Sequence, residues 1–198
     1  MSRPSPFSMF RYLVSCLVIA AIILASGFFF FRSFWEHRYD DLITRQARIY
    51  RLDEKLVWSL IYEETYFQAW KIGKAEEVGL MQVTPLVARD WAKETGFKEF
   101  EKQTAENAAE FLRDPERNIQ VGCWYLEKVR EKYRGLPAEM AMTLAAYNAG
   151  PSRVEEWTKD TEDQKLSEAD FLSRITIPST KAYVSSILER YRSESVKR

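Results

Sequence analysis

Hydrophobic and polar positions change rhythm once along this chain. From Leu13 to Phe31, "LVSCLVIAAIILASGFFFF" holds 19 residues without a charge; as a helix that run is about 28 Å long, close to the thickness of a bilayer core. A cleaved signal peptide is the other reading, but its apolar core is shorter, about 7 to 15 residues, and ends at a small-x-small site. Here the run continues through "ASG" into four phenylalanines, which favours a retained anchor. "LVSC" at Leu13–Cys16 resembles a lipoprotein box, yet the apolar region follows the cysteine instead of preceding it. Lipidation at Cys16 is therefore not expected.

Beyond the apolar run, the spacing predicts helices over 40–49, 53–64, 85–95, 104–112, 115–133, 137–147, 151–157, 167–173 and 178–192. Thr84-Pro85 and Asp114-Pro115 read as cap plus first-turn proline, and Gly96 and Gly135 as helix stops. No alternating strand or Asn-Gly hairpin signal stands out, so the expected class is all-α. Ile119, Gly122, Cys123, Leu126, Val129 and Tyr133 form an apolar stripe at helical spacing and predict the central buried helix. The expected organisation is a tail over 1–12, a transmembrane anchor over 13–31, a connector over 32–42, a domain over 43–192 and a tail over 193–198. Trp35 and Tyr39 in the connector suit a membrane interface.

Charge and composition narrow the function. Twenty-nine basic residues balance 29 acidic ones, so no overall field would hold a nucleic acid by counterion release. With only Arg3, Arg11 and Arg32 ahead of residue 33, the rest carries three more acids than bases. Cys16 and Cys123 lie in segments that no disulfide would sensibly join, and the single histidine, His37, sits beside the apolar run. His-dependent triads and His-rich metal sites are thereby disfavoured.

Candidate chemistry lies in "WSLIYEETYFQAW" (58–70), where two glutamates interrupt an apolar run. Asp53 is a good N-cap, so helical geometry applies from Glu54 onward. Leu56, Leu60 and Glu64 then share one row with Val57 and Ile61 beside it, while Lys55, Ser59 and Glu63 form a polar row. Glu64 is expected to point inward and Glu63 outward. A partly desolvated carboxyl keeps its proton toward neutral pH and can serve as a general acid; the same placement would also suit a bond to a buried backbone group or a basic partner. Periodicity alone leaves both open.

"IYEETYF" (61–67) resembles the Ile-x-x-Glu-Ser-x-Phe signature of the Slt-type lytic transglycosylases, whose lysozyme-like fold is shared with goose-type lysozyme. "GLMQVTP" (79–85), "DPERNIQVGCWYL" (114–126), "AAYNAGPSRVEEW" (145–157) and a weaker "IPSTKAYVSSILERY" (177–191) follow in the family's order. The resemblance implies that Glu64 is the catalytic acid and base, cleaving the β-1,4 bond between N-acetylmuramic acid and N-acetylglucosamine in peptidoglycan to leave a 1,6-anhydro end. It implies no metal or organic cofactor. Gln82 matches the family's Gly-Leu-Met-Gln and would bond a sugar N-acetyl or hydroxyl, or else fix its loop, with Met81 packing beside it. Tyr147 would bring its hydroxyl near Glu64, and Asn148, in the same block, would fix the turn before Gly150-Pro151. Tyr66 is a candidate substrate-facing aromatic; most other aromatics lie at helical spacing and read as core.

Departures from the family are concentrated near the site. Thr65 replaces the usual serine after the glutamate. "GKAEEVG" (73–79) places Gly73, Glu76 and Glu77 where the family commonly has serine, glycine and alanine, and Ser179 stands where a glutamate often precedes Thr-Arg. Glu77 is expected to face the cleft, fixing the loop or acting as a second carboxylate, unless it is merely a solvated loop charge. A second carboxylate that activated water would move the reaction toward hydrolysis. The expected function is a membrane-anchored lytic transglycosylase, single-pass in the bacterial inner membrane with its domain on the wall side and peptidoglycan glycan strands as partner. A goose-type hydrolytic muramidase and a catalytically weak peptidoglycan-binding module are the alternatives.

Overall fold

A computed structural model of the chain describes residues 6–97, 105–162 and 165–196. It divides into two units, residues 1–38 and 39–198. Among the described residues the first contains one helix, α1 (Pro6–His37), long and apolar enough to cross a membrane. It runs past the expected anchor because polar side chains continue it: Arg32 pairs with Glu36 one turn on at 2.9 Å, and the Arg38 guanidinium stacks 3.6 Å from the Trp35 ring. Residues 32–37, expected as connector, are thus helical.

Nine helices are described in the second unit: α2 (Asp40–Ile49), α3 (Glu54–Thr65), α4 (Pro85–Thr95), α5 (Ala105–Arg113), α6 (Pro115–Glu131), α7 (Glu139–Ala149), α8 (Pro151–Thr158), α9 (Glu168–Arg174) and α10 (Pro178–Val196). Among the described residues the extended structure amounts to two isolated antiparallel bridges, Ile72 to Val78 and Val78 to Val83. The helix starts follow the capping signals. Asp53 accepts from the Lys55 N–H at 2.8 Å, Thr84 from Val87 at 3.3 Å, Asp114 from Arg117 at 2.9 Å and Ser167 from Asp170 at 3.2 Å. Each replaces a partner that the first turn cannot supply. The expected start at residue 104 and the ends of both tails, 1–5 and 197–198, lie outside the described residues. The C-terminal tail from residue 193 is helical as far as Val196.

The apolar stripe is buried from Ile119 through Val129 on α6, and Tyr133, two residues past the helix end, is buried with it. Cys123 on that stripe is fully buried, and desolvation pushes its thiol far above the usual range. A second central helix has no such stripe: α7 buries six residues in succession, Ala141 to Ala146, because α6, α8, α9 and α10 surround it. Helix α10 packs along α3 and changes one expectation there. Ser59, in the row predicted to face outward, is fully buried. Glu63 in the same row accepts from Ser186 Oγ at 2.6 Å and lies 3.7 Å from the Arg190 guanidinium. The polar row is the seam between α3 and α10, so Glu63 is paired and not outward.

Candidate active site

Glu64 occupies the last turn of α3, and the chain leaves that turn through two consecutive left-handed residues, Tyr66 (φ 50°) and Phe67 (φ 61°). Such conformations cost a bulky residue on the order of 1 kcal/mol or more each. Burial of Phe67 offsets the cost: its ring is inaccessible to solvent and packs 5.3 Å from Trp58 and 6.2 Å from Tyr62. The turn sends residues 66–84 back past the helix end, where Lys71 Nζ donates to the Glu64 carbonyl.

The Glu64 carboxyl is half-buried and its pKa is raised from 4.5 to about 7. Desolvation is the main cause; a hydrogen bond from Tyr183 and the Lys71 charge oppose it, and the charges of Glu77 and Glu63 add to it. Its place at a helix C-terminus also disfavours a negative charge. Tyr183 Oη donates to Glu64 Oε1 at 2.7 Å, fixing the carboxyl from α10. That tyrosine is held by its own helix face, where Thr180, Tyr183, Val184, Ile187 and Leu188 are all buried. Desolvation and then the Glu64 charge push the Tyr183 phenol well above its usual range, so it remains a donor.

The segment opposite Glu64 is held by individual bonds. Buried Asn118 of α6 accepts from the Met81 N–H at 2.8 Å and donates to the carbonyls of Val78 (2.7 Å) and Leu112 (2.9 Å). Met81 is fully buried, and its side chain fills the space over Gly122, where a Cβ would come within 2.8 Å of the Met81 Cβ and overlap its sulfur. Tyr147 Oη donates to the Met81 carbonyl at 2.8 Å, and its ring lies 5.3 Å from that of Tyr125. Desolvation, followed by the Glu64 charge, raises the Tyr147 phenol well above its usual range. Gln82, itself left-handed (φ 47°), donates its amide to the carbonyls of Gly79 (2.9 Å) and Lys71 (3.3 Å). Glu77 accepts from the Ala75 N–H at 2.9 Å.

The expected residues therefore fall into two groups. Glu64 lies within electrostatic reach of Glu77 and of Tyr147, and Gln82 and Glu77 both approach Gly73. Thr65 and Met81 face the interior: Thr65 is buried, with its hydroxyl on the carbonyls of Leu80 (3.0 Å) and Ile61 (3.2 Å). Asn148 accepts from buried Thr180 at 2.7 Å, tying α7 to the first turn of α10. Tyr66 is exposed at 36 % and packs edge-on against Tyr62 at 5.0 Å. Two residues escaped the sequence reading, Tyr183 and Asn118. The first was visible only as one aromatic on a buried stripe; the second as an amide on the apolar side of α6. Among the described residues no group of three or more His, Cys, Asp and Glu side chains could hold a metal ion.

Comparison with known proteins places this arrangement in a family. The "Membrane-bound lytic murein transglycosylase C" of Actinobacillus succinogenes is 30% identical over 134 residues, covering 65% of this chain and 36% of that protein. An inactive mutant of the lytic transglycosylase Slt from Pseudomonas aeruginosa superimposes with a TM-score of 0.67 at 26% identity, over 78% of this chain and 23% of that one. The fold alone is shared with a 70 kDa soluble lytic transglycosylase solved in complex with bulgecin A, at a TM-score of 0.69 and 23% identity, over 83% of this chain and 25% of that one. The chain thus spans between about a quarter and a third of the length of these proteins. Residues 41–169 match the transglycosylase SLT domain, and the chain belongs to that family.

Proposed function

We propose that this chain is a membrane-anchored peptidoglycan lytic transglycosylase in which Glu64 is both acid and base. The observation that carries the reading is the Glu64 carboxyl itself: half-buried, oriented by Tyr183 at 2.7 Å, and retaining its proton to about pH 7. Such a group is protonated often enough near neutrality to donate, and acidic enough to accept the proton back later.

In the first step the Glu64 proton goes to the glycosidic oxygen of the β-1,4 bond between N-acetylmuramic acid and N-acetylglucosamine. The C1–O bond breaks with its electrons on the leaving sugar, and the muramoyl N-acetyl oxygen can stabilise the electron-poor C1. In the second, the Glu64 carboxylate takes the proton from the C6 hydroxyl as that oxygen bonds to C1, closing the 1,6-anhydro ring and restoring the acid. One carboxylate suffices because the nucleophile belongs to the substrate. Tyr183, as donor to Oε1, stabilises the carboxylate that exists between the steps. Helix α1 serves as a single-pass anchor in the inner membrane, with the N-terminus cytoplasmic and the domain facing the wall. Its length and apolar composition support membrane association, as does the word "membrane-bound" in the name of the Actinobacillus relative; the membrane and the orientation follow from where peptidoglycan would be met.

The test is mass spectrometry of the soluble products after full-length chain, purified in detergent, is incubated with purified peptidoglycan. Anhydromuropeptides that fall by roughly 10³-fold in Glu64→Gln are expected, the order at stake in removing a general acid. Reducing-end products would replace this reading by goose-type hydrolysis. A folded protein that binds sacculi without forming product would replace it by a binding module.

A further inference from the structure

Gly73 and Glu77 are adjacent in space. The Gly73 N–H donates to the Glu77 carbonyl at 2.7 Å, and the Gly79 N–H to the Lys71 carbonyl at 2.9 Å, so residues 71–79 form a small antiparallel turn around the Ile72–Val78 bridge. Within it the Glu77 side chain folds back over Gly73. A Cβ built on Gly73 would overlap Glu77 Oε2 and stand 2.9 Å from Gln82 Oε1. No other residue type leaves that seat open, and Gly73 needs no left-handed backbone, so its value here is the absent side chain. Once seated, Oε2 is fixed by the Ala75 N–H at 2.9 Å.

We infer that Glu77 is a positioning residue for the reaction at Glu64: the bare Gly73 backbone seats its carboxylate in the same turn whose Lys71 Nζ donates to the Glu64 carbonyl, so the turn that grips the end of α3 carries a seated negative charge. The inference rests on the reading of Glu64 as that acid. It belongs to this chain's own residues, because it requires a glycine at 73 and a carboxylate at 77 together. The groups acting on Glu64 can be named by element. Tyr183 of α10 donates to it, and Tyr147 of α7 lies within electrostatic reach. Lys71 of the turn opposes Glu77, and Glu63 of α3 acts with Glu77, though Glu63 is partly neutralised by Arg190. Glu77 is thus the negative charge that the turn holds in a seat, against the positive charge of Lys71, while Lys74 and Glu76 of the same turn are exposed.

The experiment is the initial rate of peptidoglycan solubilisation against pH, from 5 to 9, by detergent-purified full-length chain. Wild type, Glu77→Gln, Gly73→Ala and the double variant are compared beside Glu64→Gln, with folding checked by circular dichroism. Glu77→Gln is expected to move the alkaline limb to lower pH by about 0.3 unit or more, the order of a partly screened charge within a Debye length. Gly73→Ala unseats the carboxylate and is expected to move the limb in the wild-type background. It should add nothing in the Glu77→Gln background, where only a neutral amide is displaced. A Glu77→Gln limb coincident with wild type, or Gly73→Ala and Glu77→Gln shifts that simply add, would overturn the inference and leave the Glu64 reading standing. Turnover surviving in Glu64→Gln would instead remove the acid on which both depend.

Discussion

The helical core around α6 and α7 and the irregular segment 66–84 are held by different physics. The core is apolar and redundant: Ile119, Cys123, Leu126, Met142 and Leu144 are all fully buried, and each is supported by several neighbours. The segment depends on single polar bonds. Asn118 bonds three backbone groups, the carbonyls of Leu112 and Val78 and the N–H of Met81, and Thr65 and Gln82 each serve two carbonyls. Loss of one core methyl group can be shared among neighbours, whereas loss of one amide in the segment orphans specific groups. The carboxyl proposed as the acid, Glu64, lies in the last turn of a helix, α3, directly before this segment begins, so a rigid support adjoins a loop of the kind that carries ligand contacts.

The largest effect on stability is expected at Leu144→Ala, a cavity in the most enclosed helix. It should cost about 3–4 kcal/mol and lower protection from amide exchange throughout the domain, as measured by denaturant unfolding and hydrogen exchange. Asn118→Ala should cost somewhat less, about 2–3 kcal/mol, because it leaves buried backbone groups unpaired. Its exchange signature should differ, with protection lost first at residues 78–83. Equal loss everywhere in both variants would erase the distinction between the two regions.

Glu64→Gln should stabilise the fold, and the sign follows from the raised pKa. Below pH 4.5 the carboxyl is protonated in both folded and unfolded chains and contributes no difference. Between 4.5 and about 7 only the unfolded chain ionises, so wild-type stability falls as pH rises and levels off above 7. The glutamine variant escapes this loss, and a gain of about 1–2 kcal/mol at pH 8 that vanishes at pH 4 is expected, allowing for solvent at a half-buried group. Smallest is Tyr183→Phe, worth about 1 kcal/mol in stability. It removes the donor that favours the carboxylate, so the alkaline limb of activity should move to higher pH, opposite to the shift expected from Glu77→Gln. Equal and same-sign shifts would show that neither residue acts through the Glu64 proton.

Much of the fold was legible in the sequence. Caps at Asp53, Thr84 and Asp114 and the stop at Gly96 fixed helix boundaries because capping is a local exchange of one side chain for one missing backbone partner. The stripe on α6 was legible because burial on one face imposes a helical period. Helix α7 was expected over 137–147 but not as a second central helix, since a helix enclosed on nearly every side shows no one-sided stripe. Nor was the fate of Ser59 and Glu63: their row is polar, and only the arrival of α10, more than 120 residues later in the chain, buries it. Tyr183 reaches Glu64 by the same long-range packing.

By itself, then, the sequence determined the helices, the apolar N-terminal run and the nomination of Glu64, through caps, period and resemblance, all of which act within a few turns of chain. Tertiary structure decided which polar groups meet: Tyr183 on Glu64, Asn118 on the Val78 and Met81 backbone, and Glu77 over the bare Gly73. Those meetings set desolvation and charge at the carboxyl, and both depend on distances in space that no local pattern encodes.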